Sequence, residues 1–311
     1  MTSRESLDLR AASLLAGLCV IWGINAVAIK VSNRGIDPVF CAAIRSVLAA
    51  AGLALWMRLR GLSLFPGRVG DGIAVGVLFG VEFVFLYTSL LYTTAASAWI
   101  LLYTTPFFHA IGAHFLLKGD RLTWTKGAGL GLSFAGIVIL LSKHMGADSG
   151  QGLMGDALAV CAALFWADTT IYIKRRLVNA VTHYHTLFYQ IIFSIPVLFL
   201  LSFLLSEAPV RRLGTLILLS VAFQAVVVAF VSYLLWFYLV HHYPVSKLSA
   251  FTFLTPVFAT LAGVVFLDEP AGPRLVTALG FVCVGVYMVN RGAEARGPGA
   301  GGARAIEADR V

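Results

Sequence analysis

Charged side chains well inside apolar stretches are the first candidates for chemistry in this sequence. Glu82 and Arg45 each interrupt a long run of Leu, Val, Ala and Phe residues, and Asp168 lies near the end of a third run. At the centre of a helix in hydrocarbon such a charge costs about 2.5–3.5 kcal/mol, so each needs a partner or a function. A carboxylate in such a place can bind an ammonium group or carry a proton.

Glu82 and Arg45 are expected at similar depth, because their positions along two neighbouring helices differ by only a few ångström. Glu82 is then a structural partner of Arg45, a site for a substrate ammonium group or a proton, or a carboxylate facing a vestibule. Asp168 lies six residues before Lys174. It either pairs with the basic loop that follows or guards the mouth of a pathway.

Aromatic residues at helical spacing form the second group of candidates. Trp99 and Tyr103 are four residues apart, so they share one helix face. The other members of the group are Trp22 with Asn25, Tyr233 with Trp236, and Trp166. Such residues are often packing or interfacial belts. If they line a pathway, stacking and cation–π contacts would favour flat apolar or cationic solutes.

Two prolines and one amide complete the candidates. Pro106 and Pro256 each remove a backbone hydrogen bond within an apolar run, which predicts a kink that is either a hinge or a static bend. Gln224 lies in mid-run and either makes an interhelical hydrogen bond or lines the pathway. His109 and His114 lack the spacing of a metal pair, and we expect no metal or other cofactor.

The composition places all these residues in a membrane protein. Of the 311 residues, 59% are hydrophobic and 12% charged, with a mean hydropathy of +0.88. A soluble domain has about 45–50% apolar and about 25% charged residues. The net charge of +8 falls mainly in loops, so it indicates membrane topology and no nucleic acid partner. The 4 cysteines lie in apolar runs without metal or disulfide spacing.

Ten apolar runs are long enough to span a bilayer, which takes about 20 residues. They lie near residues 11–31, 38–59, 70–92, 94–117, 124–142, 153–173, 183–205, 213–240, 245–267 and 273–290. Because the runs are continuous and do not alternate as barrel strands would, the predicted fold class is an all-α integral membrane protein. The chain outside the runs, residues 1–10 and 291–311, is expected at the cytoplasmic side, the latter as a disordered tail.

The second half of the chain repeats features of the first half. The equivalent residues are Trp22 and Trp166, Lys30 and Lys174, Thr105-Pro106 and Thr255-Pro256, and Gly136 and Gly285. Each half, 11–142 and 153–290, contains five runs, and the linker 143–152 joins them. Because five is odd, the second half enters the membrane from the opposite side, which makes the halves inverted repeats. The repeat also requires the first run as a retained helix and argues against a cleaved signal peptide.

Lysine and arginine residues predict the orientation. With the N-terminus in the cytoplasm, 16 of the 23 Lys and Arg residues fall inside and 6 outside, while Arg45 lies within a span. Positive charge is enriched in cytoplasmic loops. We therefore expect a multi-pass protein of the cytoplasmic (inner) membrane with both termini inside.

The arrangement resembles the drug/metabolite transporter superfamily, in its EamA-type branch. The residues that carry the resemblance are Trp22-Gly-Ile-Asn25 with Lys30, Thr105-Pro106 before Leu116-Leu-Lys-Gly-Asp120, and Leu254-Thr-Pro256 before Leu267-Asp-Glu269-Pro. The sequence departs from the family pattern at Ala167-Asp168, where a second Gly-Asn would be expected, and at Gly119-Asp120 in place of Gly-Glu. The resemblance implies carriage of small organic solutes such as amino acids, other metabolites, nucleotide sugars or drugs.

The combined expectation is a secondary transporter that exports small organic metabolites by alternating access. Amino acids, aromatic and other neutral ones, are the first candidates, and lipophilic cations handled by a multidrug-type exporter are the alternative. The sequence has no Gly-x-x-x-x-Gly-Lys-Ser/Thr motif, so ATP is not expected as the direct energy source. The acids and histidines are scattered over different runs, which argues against an enzyme. The expected partners are a small-molecule substrate and membrane lipid, with the protein a monomer or weak dimer.

Overall fold

The computed structural model describes residues 7–89, 92–93, 95–141, 150–206, 208–267 and 273–291. In this part of the chain the regular structure is helical, apart from an isolated β-bridge between Ile36 and Val210. The predicted tail from residue 292, most of the linker 143–152 and the residues 268–270 lie outside the described residues.

Thirteen α-helices and one π-helical segment make up the described fold. They are α1 (Leu9–Ser32), α2 (Pro38–Leu59), α3 (Val69–Ser89), α4 (Ala95–Leu102), α5 (Thr105–Leu116), α6 (Trp124–Leu141), α7 (Gly150–Arg176), α8 (His183–Leu205), α9 (Thr215–Phe223), the π-segment (Gln224–Ser232), α10 (Tyr233–His242), α11 (Val245–Phe251), α12 (Leu254–Leu267) and α13 (Pro273–Arg291).

Within the described residues these elements form ten spans. The α9–π–α10 helix is continuous, and α4 with α5 and α11 with α12 each make one span in two pieces. Eight of the spans are long and apolar enough to cross a membrane, with a mean hydropathy between 1.4 and 2.3 in their most apolar part. The helix α6 is a shorter apolar helix, and α4–α5 completes the set. The predicted class, an all-α integral membrane protein with ten transmembrane helices, is confirmed.

The two halves run through the bundle in opposite directions. The ring of Trp56, at the end of α2, lies 5.8 Å from that of Tyr184, at the start of α8. The Tyr243 hydroxyl donates to Asp8 before α1 at 3.1 Å, and its carbonyl accepts from Lys174 near the end of α7 at 2.9 Å. The first and second helices of one half therefore start where their equivalents in the other half end, as in inverted five-helix repeats. We call the end of the bundle at which α1 begins the proximal end and the other the distal end.

Glycines permit the close packing of α3 on α8. A Cβ atom at Gly72 would lie 2.6 Å from the Tyr189 ring, and one at Gly80 would lie 2.6 Å from Val197 Cβ. Gly76, between them, faces the same helix. Without a hydrophobic force between helices in lipid, such small residues provide the van der Waals contact that holds spans together. The packing fixes the face of α3 that carries Glu82.

The fifth helices of the two halves, α6 and α13, also meet through glycines. A Cβ at Gly129 would lie 2.6 Å from the carbonyl oxygen of Gly285, and a Cβ at Gly136 would lie 2.9 Å from Phe281 Cβ. These helices pack against each other at one side of the bundle, and they pack on the ninth and fourth spans only weakly. The other eight spans therefore surround the interior that holds the candidate site.

The fourth and ninth spans differ from the kinked, continuous helices predicted from Pro106 and Pro256. Each is broken just ahead of its proline, at Tyr103-Thr104 and at Thr252-Phe253. Pro106 and Pro256 then lie in the first turn of α5 and α12, where a missing N–H removes no helical hydrogen bond. At each break a threonine hydroxyl bonds a carbonyl three residues back, at 2.6 Å for Thr104 and 2.7 Å for Thr252.

Candidate functional site

The two helix breaks lie against each other inside the bundle. The ring of Phe107, in the first turn of α5, lies 6.5 Å from that of Phe253, in the break of the ninth span, at an interplanar angle of 75°. Tyr103 and Phe253 are both buried in the same apolar cluster. The predicted hinge positions of the two repeats are therefore in contact through aromatic side chains.

Trp22, Trp236 and Tyr233 come together between α1 and α10. The Trp22 and Trp236 rings meet edge to face with centroids 5.6 Å apart, and Trp22 Nε1 donates to Ser232 Oγ at 2.9 Å. Trp236 is buried, whereas Trp22 and Tyr233 keep partly exposed surfaces. Since Ser232 in turn donates to the Val228 carbonyl at 2.6 Å, the Trp22 ring is fixed by packing and by a hydrogen-bond chain.

Arg45 lies on α2 and Glu82 on α3, two consecutive helices that each pack on α8, and both residues have an exposed fraction of 6%. The Arg45 guanidinium lies over the Phe83 ring at 5.7 Å, and the Phe79 and Phe83 rings meet at 5.0 Å. Among the described residues, Glu82 Oε2 is buried without a hydrogen-bond partner. Tyr233 packs both on the cluster that contains Phe79 and Phe83 and on the one that contains Trp236, so it joins the two aromatic groups.

Trp166 belongs to a separate cluster between α3, the fourth span and α7. It packs with Phe85, Phe108 and the buried Leu86 and Leu102. Its position relative to α7 corresponds to that of Trp22 relative to α1, as the repeat requires. The sequence predicts equivalent roles for Trp22 and Trp166, and in the structure they pack in different clusters.

The remaining predicted residues have different surroundings. The rings of Trp99 and Tyr103 are 6.5 Å apart, with 40% of Trp99 exposed and Tyr103 buried. Asp168 is exposed on α7 and has no hydrogen bond or ion pair with another described residue. The side-chain oxygen of Asn25 is buried and accepts no hydrogen bond within the described part of the chain. Gln224 is 2% exposed and donates to Ser32 Oγ at 3.1 Å, which joins the π-segment to α1.

A buried charge cluster at the proximal end was missed by the sequence reasoning. Lys126 Nζ, at the start of α6, lies 2.9 Å from Asp120 Oδ1 and donates to Ser246 Oγ at 3.0 Å. Asp120 also accepts from the Ser246 hydroxyl and, at 3.0 Å, from the Ser246 backbone N–H in the first turn of α11. The Asp120 and Lys126 side chains are each 5% exposed. Asp120, Lys126 and Ser246, the proximal cluster, tie the first repeat to the second.

Further hydrogen bonds join the chain at the proximal end. Lys174 donates to the carbonyls of Val240 and Tyr243, which satisfies carbonyls at the end of α10. His185 Nε2 donates to the Ser63 carbonyl at 2.8 Å. The Tyr189 hydroxyl donates to the Gly67 carbonyl at 2.6 Å. The clue in the sequence was the pair Asp120 and Lys126, six residues apart, but their common partner Ser246 lies 126 positions after Asp120.

The side chains of the candidate site are suited to binding a solute. The described residues contain no group of three His, Cys, Asp or Glu side chains placed to hold a metal ion. The described interior offers aromatic faces together with the buried Glu82 carboxylate and Arg45 guanidinium. Two of the surrounding spans, the fourth and the ninth, are broken near their middle. Ten spans in inverted repeats around such an interior define a helical membrane transporter.

Comparisons with known proteins identify the kind of transporter. The model of the EamA-like transporter family matches residues 9–142 and again residues 153–291. The chain therefore belongs to the EamA-like transporter family, and the resemblance seen in the sequence is confirmed.

Named relatives are described as a transporter and an efflux pump, and a solved structure has a similar fold. An uncharacterized transporter from Archaeoglobus fulgidus is 30% identical over 89% of this chain and 98% of its own length. A probable amino-acid metabolite efflux pump from Salmonella typhimurium is 26% identical over 86% of this chain and 91% of its own length. A crystal structure of a protein 22% identical to this chain has a TM-score of 0.79, covering 93% of this chain and 99% of that one, and it shows the fold alone.

Proposed function

We propose that the protein is a secondary transporter that exports amino acids, with aromatic and other neutral amino acids as the preferred substrates. The observation that carries the proposal is Glu82, whose carboxylate is buried and whose Oε2 accepts no hydrogen bond from any described residue. A buried acceptor without a donor is unfavourable, and a substrate ammonium group would supply the missing hydrogen bond. The efflux pumps among the relatives support amino acids as the cargo.

The aromatic surface suits the rest of such a substrate. Trp22, Tyr233 and Trp236 offer ring faces and edges next to the cluster of Phe79 and Phe83. Aromatic pairs contribute about 0.5–1.5 kcal/mol beyond the area that they bury. An apolar or aromatic substrate side chain would therefore gain more here than a polar one. Trp166, Trp99 and Tyr103 belong to the opposite wall in this proposal, and Gln224 supports the wall without contacting substrate.

The mechanism that we propose is alternating access. In this mechanism the proximal cluster, which joins the two repeats through Asp120, Lys126 and Ser246, holds that end closed and separates when the site faces that side. The breaks next to Pro106 and Pro256 would serve as the hinges, because each span can bend there without losing helical hydrogen bonds. The bias of Lys and Arg residues makes the proximal end cytoplasmic. The protein would work in the cytoplasmic membrane as a monomer or weak dimer.

Counterflow in proteoliposomes tests the proposal. Vesicles loaded with phenylalanine should accumulate radiolabelled phenylalanine, and Trp166→Ala and Glu82→Gln should each lower the rate strongly. Matched controls are Trp124→Ala, whose side chain is 90% exposed, and Asp168→Asn, an exposed acid. Retained exchange by Glu82→Gln with loss of its response to a pH gradient would assign proton coupling to Glu82 instead of substrate binding.

Lipophilic cations are the second candidate substrates. The same combination of a carboxylate and aromatic rings favours them, because a cation gains from cation–π contacts as well as from Glu82. Absence of counterflow with every amino acid, together with exchange of a labelled lipophilic cation in the same vesicles, would replace the first proposal by this one.

A further inference from the structure

His109 lies on the face of α5 that packs on α7. Thr105, four residues earlier, donates to the Ala163 carbonyl of α7 at 3.3 Å. Gly112, three residues later, approaches α7 so closely that a Cβ atom there would clash with Ile171. Residues at these spacings share one side of a helix, so the His109 side chain lies between the two contacts. The imidazole is thereby enclosed, with an exposed fraction of 1%.

Neither ring nitrogen of His109 forms a hydrogen bond with any described residue. A neutral imidazole has one N–H donor and one acceptor nitrogen, and burying either without a partner is unfavourable. By contrast, the buried His185 and His241 each use a ring nitrogen in a hydrogen bond. An apolar side chain would fill the same space without this cost, so the two unpaired nitrogens of His109 indicate a function.

The proximal cluster lies next to the helices that enclose His109. His109 precedes Leu116, the end of α5, by seven residues, which places it about 10 Å inside the proximal end at 1.5 Å per residue. The helix α11, whose first turn Asp120 holds through Ser246, packs on both α5 and α7. Separation of the cluster would therefore free α11 to move away from the two helices around His109.

The Asp120 carboxylate also acts electrostatically on the His109 ring. Other charged groups on the helices packed against α5 already have partners or surroundings of their own. On α7, Asp168 is exposed and Lys174 donates to two carbonyls at the end of α10. On α6, Lys126 pairs with Asp120. The remaining titratable groups nearby are the buried Lys247 on α11, Tyr172, which donates to Asp71 on α3, and the exposed His114, Lys118 and Arg121.

We propose that His109 is a proton-binding site that couples export of the substrate to entry of a proton. The inference deepens the proposed function and rests on its transport cycle. A proton from the distal side binds the acceptor nitrogen of the imidazole while the proximal cluster is closed. Phe108, the preceding residue, packs in the cluster of Trp166, the wall assigned to the pathway, so the ring adjoins the route for such a proton.

The charge on the ring then changes the proximal cluster. An imidazolium attracts the Asp120 carboxylate and competes for it with Lys126 and Ser246, so the cluster loosens and the proximal end opens. The proton leaves His109 for the cytoplasm, and substrate binds in its place. With the ring neutral again, Asp120 rebinds Ser246 and the site turns to the distal side. One N–H bond forms and one breaks in each cycle, and no charge is left on the ring.

Proteoliposomes that contain a pH indicator test the proton step. The membrane potential is clamped with valinomycin and equal potassium on both sides, and phenylalanine is then added outside. Wild-type vesicles should become more alkaline inside, because phenylalanine entering by the reversed cycle drives protons out. His109→Gln has no group that can be protonated near neutral pH. It should lower this proton flux at least about tenfold while phenylalanine counterflow without a pH gradient changes less than about threefold.

The matched control is His114→Gln, which replaces an exposed histidine of the same helix and should keep the wild-type proton flux. His109→Asn provides the same comparison if His109→Gln does not insert. Equal loss of proton flux and counterflow in both His109 variants would make His109 a packing residue and refute the proposal. Normal proton flux in either variant would also refute it, and its loss in Glu82→Gln alone would place the proton on Glu82.

The same vesicles separate this inference from the proposed function. Phenylalanine counterflow by the wild-type protein without any proton flux would overturn the proton site and leave the amino acid proposal standing. If only a labelled lipophilic cation is exchanged, the amino acid proposal fails, and the proton flux driven by that cation in wild type and His109→Gln decides on His109. Exchange of neither solute would reject both.

Discussion

Replacement of Lys126 by methionine should open the proximal end. Methionine keeps an unbranched side chain of similar length but removes the charge that lies 2.9 Å from Asp120 Oδ1. Removing one partner of a buried ion pair costs about 3–5 kcal/mol. Asp120 keeps the hydroxyl and the backbone N–H of Ser246 as donors, so we expect about 3 kcal/mol, the lower end of this range. If the proximal cluster exists only when that end is closed, the equilibrium moves toward the open state by about 150-fold.

Alkylation of a cysteine behind the cluster measures the open fraction. Ser249 is completely buried in α11, three residues after Ser246. In a background with Cys161→Ala and Cys283→Ala, which leaves only the buried Cys19 and Cys41, Ser249→Cys should react slowly with a membrane-impermeant maleimide. Addition of Lys126→Met should raise the reaction rate by up to about 150-fold from the proximal side, because the rate follows the open population.

The matched control is Lys118→Met, which removes an exposed lysine from the same connection and should leave the rate unchanged. Adding Asp120→Asn to Lys126→Met should reverse part of the effect, because no charge then remains buried without a partner. A change of less than about threefold in a folded Lys126→Met protein would show that the ion pair survives opening. The proximal cluster would then be a static support and the proposed gating would be wrong.

Three further outcomes follow from the packing. Gly129→Ala should destabilise the protein by about 1–3 kcal/mol, seen as a lower midpoint of thermal unfolding in detergent, because its Cβ would meet the Gly285 carbonyl at 2.6 Å. The control Gly131→Ala should have no effect, because its Cβ would lie within 4 Å of no described atom. Trp22→Phe should cost about 0.5–1.5 kcal/mol in the same assay through loss of the Nε1 hydrogen bond. Pro106→Ala should slow counterflow while substrate affinity measured by competition stays constant, because alanine lets the fourth span close into one helix.

The spans and the repeat were predictable because they depend on local patterns. Continuous apolar runs fix the helices, and the recurrence of Trp22 as Trp166 and of Pro106 as Pro256 fixes the relation between the halves. The breaks were not predictable from the same residues. A proline in mid-helix and a proline in the first turn of a new helix look the same in the sequence. The hydrogen bond of Thr104 to the Leu101 carbonyl, which marks the break, forms only once the backbone has turned there.

Hydrogen-bond partners that lie far apart in the sequence were also not predictable. Gln224 could be expected to need a hydrogen bond, but its acceptor Ser32 lies 192 positions away. Which residue accepts that bond depends on how α1 packs on the π-segment. Asp120 was identified only as a helix end, although in the structure it satisfies the start of α11. Each hydrogen bond joins the two repeats, so the sequence of one repeat does not contain the information.

The buried charges fall into two groups that serve different ends. Asp120 and Lys126 are saturated by each other and by Ser246, so a ligand placed there would have to displace existing bonds. Glu82 has an oxygen that no described residue satisfies, at a similarly low exposure, so a ligand placed there gains a bond without breaking one. Binding and access should therefore be separable by mutation. Lys126→Met should change alkylation behind the proximal cluster without changing the affinity for substrate, and Glu82→Gln should lower counterflow without changing the alkylation rate in the absence of substrate.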